Sequence, residues 1–466
     1  MAIAVAVGVS GQTFEASPGQ LAHERNVPSH AAVITVRGAV DASDLDYLAT
    51  AVVEAELLDL SAADIVAYKG KRVGVNTYSS PADVLPPYIF AGLRASHVRL
   101  PARLKSIGEG AFLDSRVEEV GIPAGVESIG ADAFGQCDRL TCVELPAGVG
   151  EVAARTFEGC AMLGEVKLPG TVHTVGARAF LGCGSLKNVE MPASLTSLAD
   201  EAFALSGLET VRLDGCDRLD SIGDRVFASC GQLLSAGLPS GAIRLGEGVF
   251  FECHSLERVT LPAEAVAIPA LTFKGAGSLG AIELPDGVTE IGALAMAGVS
   301  SVRNVVLPGS LGHIGDGAFE DCSGIGEFDA RALGHVPALG SDVWAGVGQP
   351  GVALVVQPRL EDAFMAAPQW QDFAISRSSV TTIADKGGEK RIEAVFHGKT
   401  LAVTCSGALE GVTVYGIDGR MLAEAAGVGS DSVTIDTSRH AGPFFIVRVM
   451  TAGDSRVTVF KLMREP

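Results

Sequence analysis

Cysteine is the residue whose spacing most invites a chemical reading. Cys137, Cys160, Cys183, Cys230, Cys253 and Cys322, six of nine in the chain, each stand three residues after an aromatic. Such a row could close a ladder of disulfides or hold a row of metal ions. The equivalent position elsewhere carries Ser115, Ser206, Ala276 or Val299. Alanine and valine can do neither chemistry, so the position asks for a small, mostly apolar buried group that cysteine happens to supply. Other constellations fail on similar grounds. Gly346-Val-Gly-Gln-Pro-Gly351 spells a dinucleotide fingerprint, but no strand–helix–strand unit surrounds it and Pro350 sits where a helix should open. None of the nine histidines pairs at helical spacing across a glutamate, and no C-x-x-C, P-loop or G-x-S-x-G pattern occurs. Asp41, Asp44 and Asp46 lack the glycine and distal glutamate of a calcium loop and read as helix-capping chemistry. The expectation is a chain with no catalytic centre, cofactor or metal; a glycan-active enzyme ranks third among the readings.

What positions these residues is a repeat. Ile107, Ile129, Val152, Val175, Leu198, Ile222, Leu245, Ile268, Ile291 and Ile314 recur every 22 to 24 residues or so. Five residues on comes an aromatic: Phe112, Phe134, Phe157, Phe180, Phe203, Phe227, Phe250, Phe273 and Phe319, with Met296 standing in once. A Leu-x-x-Val-x-Leu alternation then reads as a short strand with one face buried, and proline usually ends it because it has no N–H for the ladder. Glycine usually follows the isoleucine; since Pro269 takes that place once, close approach of neighbouring coils explains it better than a positive φ. Stacked coils would share one phenylalanine core that no single repeat could bury. The expected fold is therefore a repeat solenoid over 100–330, a curved rod with short parallel strands along one side.

The balance of 35 Lys and Arg against 55 Asp and Glu leaves a net charge of −20, which argues against nucleic acid and anionic membranes. Mean hydropathy is +0.33, yet no apolar run is long enough for a transmembrane helix. Residues 1–11 resemble a signal-peptide remnant, with Val9 and Gly11 at the positions a peptidase would read and Gln12 as the new terminus. Polar 12–30 reads as an extended or disordered lead-in, 31–99 as an N-terminal cap and 331–375 as a C-terminal cap. Within the first cap, Lys69 to Pro81 should protrude, and Tyr68, Lys71, Arg72 and Tyr78 make it a candidate contact surface. Residues 376–390 read as a linker and 391–466 as separate short strands of a small β-sandwich.

The unit Leu-Pro-x-x-Val-x-x-Ile-Gly-x-x-Ala-Phe-x-x-Cys-x-x-Leu-x-x-Val resembles the BspA-like leucine-rich repeats of bacterial surface proteins. That resemblance implies export, and for some members adhesion to host proteins or other cells. Val414-Tyr-Gly-Ile-Asp-Gly-Arg420, a later Gly-aromatic-Ile-Val-Arg-Val strand and a last strand reaching Lys461 resemble a type IX secretion sorting domain, with Phe445 where that family usually has tyrosine. The second resemblance implies an immunoglobulin-like sandwich and an export machinery as a partner.

The residues left facing outward on the strands are Arg99, Glu144, Lys167, Glu190, Arg212, Thr260 and Glu283 in one row, with Glu165, Asn188, Thr210, Arg258 and Asn304 beside it. These and the N-terminal loop are the candidate contacts for a protein or glycan ligand. The expected function is binding or adhesion by an exported surface protein; the alternative is a structural envelope or matrix component with no dedicated ligand.

Overall fold

In the computed structural model, which describes residues 11–28, 31–53, 55–72, 75–241, 243–377, 383–384, 391–397, 400–416, 420–437, 444–451 and 457–463, the repeat isoleucines pair with one another. Ile107 sits opposite Ile129, Val152 opposite Val175, Val175 opposite Leu198 and Ile291 opposite Ile314, always in parallel two-residue strands. This ladder of minimal strands went unread in the sequence, where a pair of residues is too short to show alternation. The chain divides into two units, Met1–Leu354 with Ala363–Ala374, and Val355–Asp362 with Ile375–Pro466.

In the first unit each coil turns through its phenylalanine with an alternating amide pattern. The N–H of Phe134 donates to the carbonyl of Thr156 in the next coil (2.9 Å), while those of Ala133 and Gly135 donate back within the coil to Gly130 and Asp132. Phe112, Phe157 and Phe180 repeat the arrangement. Turning every second amide outward needs left-handed residues two before and two after the aromatic. Asp132 (φ 56°), Arg155 (φ 56°), Arg178 (φ 58°) and Glu201 (φ 55°) fill the first place, and Gln136, Leu205 and Ser229 the second. A non-glycine residue there costs about 1 kcal/mol, which the ladder and the core offset. The glycine after the isoleucine does what the proline substitution implies. A Cβ on Gly130, Gly176 or Gly315 would come within 2.6 Å of backbone in the preceding coil, and none has a positive φ.

The aromatic rings form one column. Phe112 through Phe273 stack ring on ring with centroids 5.0–5.8 Å apart and planes within 4–17°, and all are fully buried. Burial of each ring contributes about 2–3 kcal/mol, and pairing about 1 kcal/mol more. Phe90 extends the column one coil earlier than 100, where Val84–Leu85 also joins the isoleucine ladder. Met296 interrupts it, and Trp344 resumes it on Phe319 at 5.1 Å. The six cysteines that follow the aromatic line the column as reduced thiols. Each donates to the carbonyl of the aromatic position one coil back: Cys137 to Phe112 (3.0 Å), Cys160 to Phe134 (3.1 Å), Cys253 to Phe227 (3.0 Å) and Cys322 to Met296 (3.0 Å).

The lead-in over 12–30, expected to be extended or disordered, begins as an extended strand and continues into a short helix. Strand β1 (Gly11–Ala16) pairs in parallel with β2 (Val33–Val40), and helix α1 (Gln20–Glu24) follows it. The reason is Asp44 of helix α2 (Ala42–Ala51): its buried carboxylate accepts from the N–H groups of Gly19 (2.8 Å) and Ala22 (3.1 Å). Asp41 accepts from Ser43 and Asp44 at the same helix start, forming a capping box. Of the expected signal remnant only Gly11 falls within the described residues. The order β1, β2, β3 (Leu57–Ile65) continues without a break into the repeat strands His97–Arg99, Glu119–Gly121, Cys142–Glu144 and Glu165–Lys167 as one parallel sheet. Gly346–Gly351 is an irregular turn closing in a 3-10 segment, Gln349–Gly351.

In the second unit the described strands from Ile383 onward make an antiparallel sheet. The separate short strands expected at Thr400 and Val412 are one, Thr400–Gly416, pairing along its length with Met421–Asp436 through register shifts between Thr404 and Gly411. Those shifts let one long strand serve Arg391–His397 at its start and Phe444–Thr451 at its end. Leu401, Val403, Val412, Val414, Phe445 and Val447 share one core. The expected linker falls largely outside the described residues.

Candidate ligand-binding surface

Three-residue strands bury their centres and leave their flanks to solvent. Val120, Val143, Val166 and Val211 point inward, at most 6% exposed. Parallel pairing in register then places Glu119, Cys142 and Glu165 side by side, and Gly121, Glu144 and Lys167 beside those. Between the strands and the prolines that end them runs a cleft of about 480 Å³, with Glu119, Glu144, Glu165 and Lys167 at its polar side and Ile122, Pro146, Leu168 and Pro169 at its apolar side. Lys167 Nζ lies 3.9 Å from Glu144 and 3.6 Å from Glu165. All three side chains are more than half exposed, so these pairs add little stability. One ammonium among three carboxylates leaves the cleft negative, suited to a cationic group. Cys142, half-buried on the floor, is the one described cysteine that is not buried.

The other outward residues do not assemble with these. Arg99 is committed to Asp59 of β3 at 3.1 Å. Burial works against ionisation of Asp59, yet bonds from Ser61 and Arg99 outweigh it and hold that carboxyl below its ordinary value. Arg212 and Arg258 are exposed on a second sheet, Thr210–Arg212, Ser235–Gly237 and Arg258–Thr260. Glu190 and Glu283, expected on strands, lie in coils that form none. The residues leading into them, Lys187-Asn188 and Gly280-Ala281, are types depleted in strands, and a three-residue strand has little else to hold it. The row foreseen as continuous is thus broken at those two coils.

The N-terminal loop is a hairpin, Tyr68–Arg72 against Val75–Ser80. Arg72 is not offered to a partner: its guanidinium holds Asp46 of α2 at 3.0 Å, lies 5.1 Å from the Tyr78 ring centroid and is 11% exposed. Tyr68 turns onto its own hairpin and donates to the Lys71 carbonyl at 2.6 Å. Lys69 and Lys71 remain exposed. The reading as a contact surface therefore loses Arg72 and Tyr68, which fasten the hairpin.

Sequence reasoning missed Glu119 and Cys142 in the cleft. Their signal was the repeat register itself, which puts them in line with Glu165 once the strands are laid side by side. Among the described residues no group of three or more His, Cys, Asp or Glu could hold a metal, and no helix is long and apolar enough to cross a membrane.

Comparison with known proteins agrees with this architecture. No curated protein matches the chain. Among solved structures it is similar to a leucine-rich repeat protein from Bacteroides ovatus, at 24% identity over 78% of this chain and 87% of that one with a TM-score of 0.56. It is also similar to a leucine rich cell surface protein from Faecalibacterium prausnitzii, at 21% identity over 59% and 87% with a TM-score of 0.35. A family model described as BspA type leucine rich repeat region matches residues 83–209 and 206–326, more than half the chain and the same coils that share the phenylalanine column. The chain belongs to the BspA-type leucine-rich repeat family.

Proposed function

We propose that this is an exported, surface-associated repeat protein that binds a macromolecular ligand on its strand face, with the cleft over Glu119–Lys167 as the main contact. The observation that carries the reading is the cleft itself. It combines three carboxylates with an apolar wall of Ile122, Pro146, Leu168 and Pro169, so it can seat a side chain and select for positive charge. A lysine- or arginine-bearing protein segment is the ligand this chemistry favours. Export rests on the family resemblance and on residues 1–11. The sandwich and sorting role of 391–466, with an export machinery as partner, belongs to the same proposal, supported by the antiparallel pairing of its described strands.

Two experiments test it. Protease applied to intact cells should remove the protein; survival of the full-length chain would contradict surface display. Immobilised lysine-rich peptides should retain the protein more strongly than glutamate-rich ones, and labelling Cys142 with a bulky maleimide should abolish the difference. Equal retention before and after labelling would take the cleft out of consideration.

A further inference from the structure

A second groove lies where the chain passes from the aromatic turns into the strands. It holds about 480 Å³ and is lined by Arg94, Asp114, Arg116, Gln136, Asp138 and Arg139 from three successive coils. The arginines stand out against the repeat. Their place, just before the residue that opens the strand segment, is taken in later coils by Met162, Ser185, Gly207, Gln232, Ser255, Ser278, Ser301 and Gly324. Three guanidiniums therefore meet at one spot in a chain of net charge −20, while every later coil puts an uncharged residue there. Arg94, Arg116 and Arg139 are exposed; Arg139 has a loose contact with Glu118 at 3.9 Å.

We propose that this groove binds an anionic polysaccharide, a chain carrying both carboxylate or sulfate groups and free hydroxyls. The guanidinium fork matches planar or tetrahedral oxyanions with paired hydrogen bonds. Asp114 and Asp138 line the same groove and would repel a densely charged polymer such as a nucleic acid, but they accept hydrogen bonds from sugar hydroxyls. Gln136 can donate or accept. No aromatic or large aliphatic side chain lines the groove, so it lacks the buried apolar anchor on which a peptide interface depends. The site is separate from the strand-face cleft, which is lined by strand residues and by the residues that follow them.

The test uses the full chain on polygalacturonate, dextran sulfate, neutral dextran and poly-glutamate resins. Retention on polygalacturonate or dextran sulfate, reversed by salt and weakened at least about tenfold in the Arg94→Ala/Arg116→Ala double variant, supports the site; whichever resin binds identifies the anion. Arg218→Ala, which removes an exposed arginine outside both grooves, should bind like the parent, and an unchanged melting temperature would show that the double variant folds. Absence of retention on both anionic glycans, equal retention by the double variant, or retention on neutral dextran or poly-glutamate to the same degree would overturn it.

Discussion

The phenylalanine column and the strand face lie on the same coils yet obey opposite rules. Inside, coil after coil repeats the same ring, the same parallel backbone pair and, in most coils, the same small group beside the ring. Outside, equivalent positions run through Arg99, Gly121, Glu144, Lys167, Glu190, Arg212 and Gly237 with no common chemistry. A ring must fit the rings above and below it, so a change in one coil is felt in three. An exposed strand residue meets mostly water and can differ in every coil at little cost. Stability is therefore concentrated in the repeated interior, and variation is left to the unrepeated exterior.

The sharpest way to break that contrast is to cut the column. Phe180→Ala removes a fully buried ring stacked at 5.3 and 5.0 Å on its neighbours and should cost about 3–5 kcal/mol in denaturant unfolding. Arg212→Ala on the outside should stay within about 0.5 kcal/mol. Comparable losses at both sites would erase the distinction.

The thiols give a second test, through pH. Burial pushes Cys137 up to about 11 and Cys183 and Cys322 up to about 12, and raises Cys160, Cys230 and Cys253 as well. These groups bind protons more tightly folded than unfolded. Their contribution is therefore whole below the unfolded thiol pKa and disappears as pH climbs through the folded values. Unfolding free energy should fall steeply between about pH 9 and 12, and replacing Cys160 and Cys183 with alanine should flatten that slope. Alkylation at neutral pH supplies a related readout: among the described cysteines Cys142 should react first, with the column cysteines following only on unfolding.

The smallest expected effect concerns backbone strain. Leu205 is left-handed at φ 57° and 58% exposed, so Leu205→Gly should stabilise by about 0.5 kcal/mol, read as a small rise in melting temperature. A loss would mean that the exposed side chain contributes more than its conformation costs.

How much of this was legible follows from the same contrast. The phenylalanine period, the proline stops and the glycine approach could be read because each residue type has one physical task repeated many times. The left-handed turns could not, because Arg155, Gly248 and Leu271 share a φ and no composition. The ordered lead-in hung on Asp44, whose carboxylate reaches back more than twenty residues. Of the candidate contacts, Glu144 and Lys167 line one cleft, whereas Arg72 is tied to Asp46 on a different element, a pairing that no local pattern announces. The arginine groove was invisible until three coils were set side by side.

The chain contains only two tryptophans, and both are buried where the column ends: Trp344 stacks on Phe319, and Trp370 lies 5.0 Å from Trp344. Intrinsic fluorescence excited at the indoles therefore watches one end of the repeat array and nothing else. Circular dichroism, by contrast, averages over the whole length. If the two signals melt together, the coils come apart as a single cooperative body; if the indoles redden first, the array frays from that end, and the protein reports its own direction of unravelling without an added label.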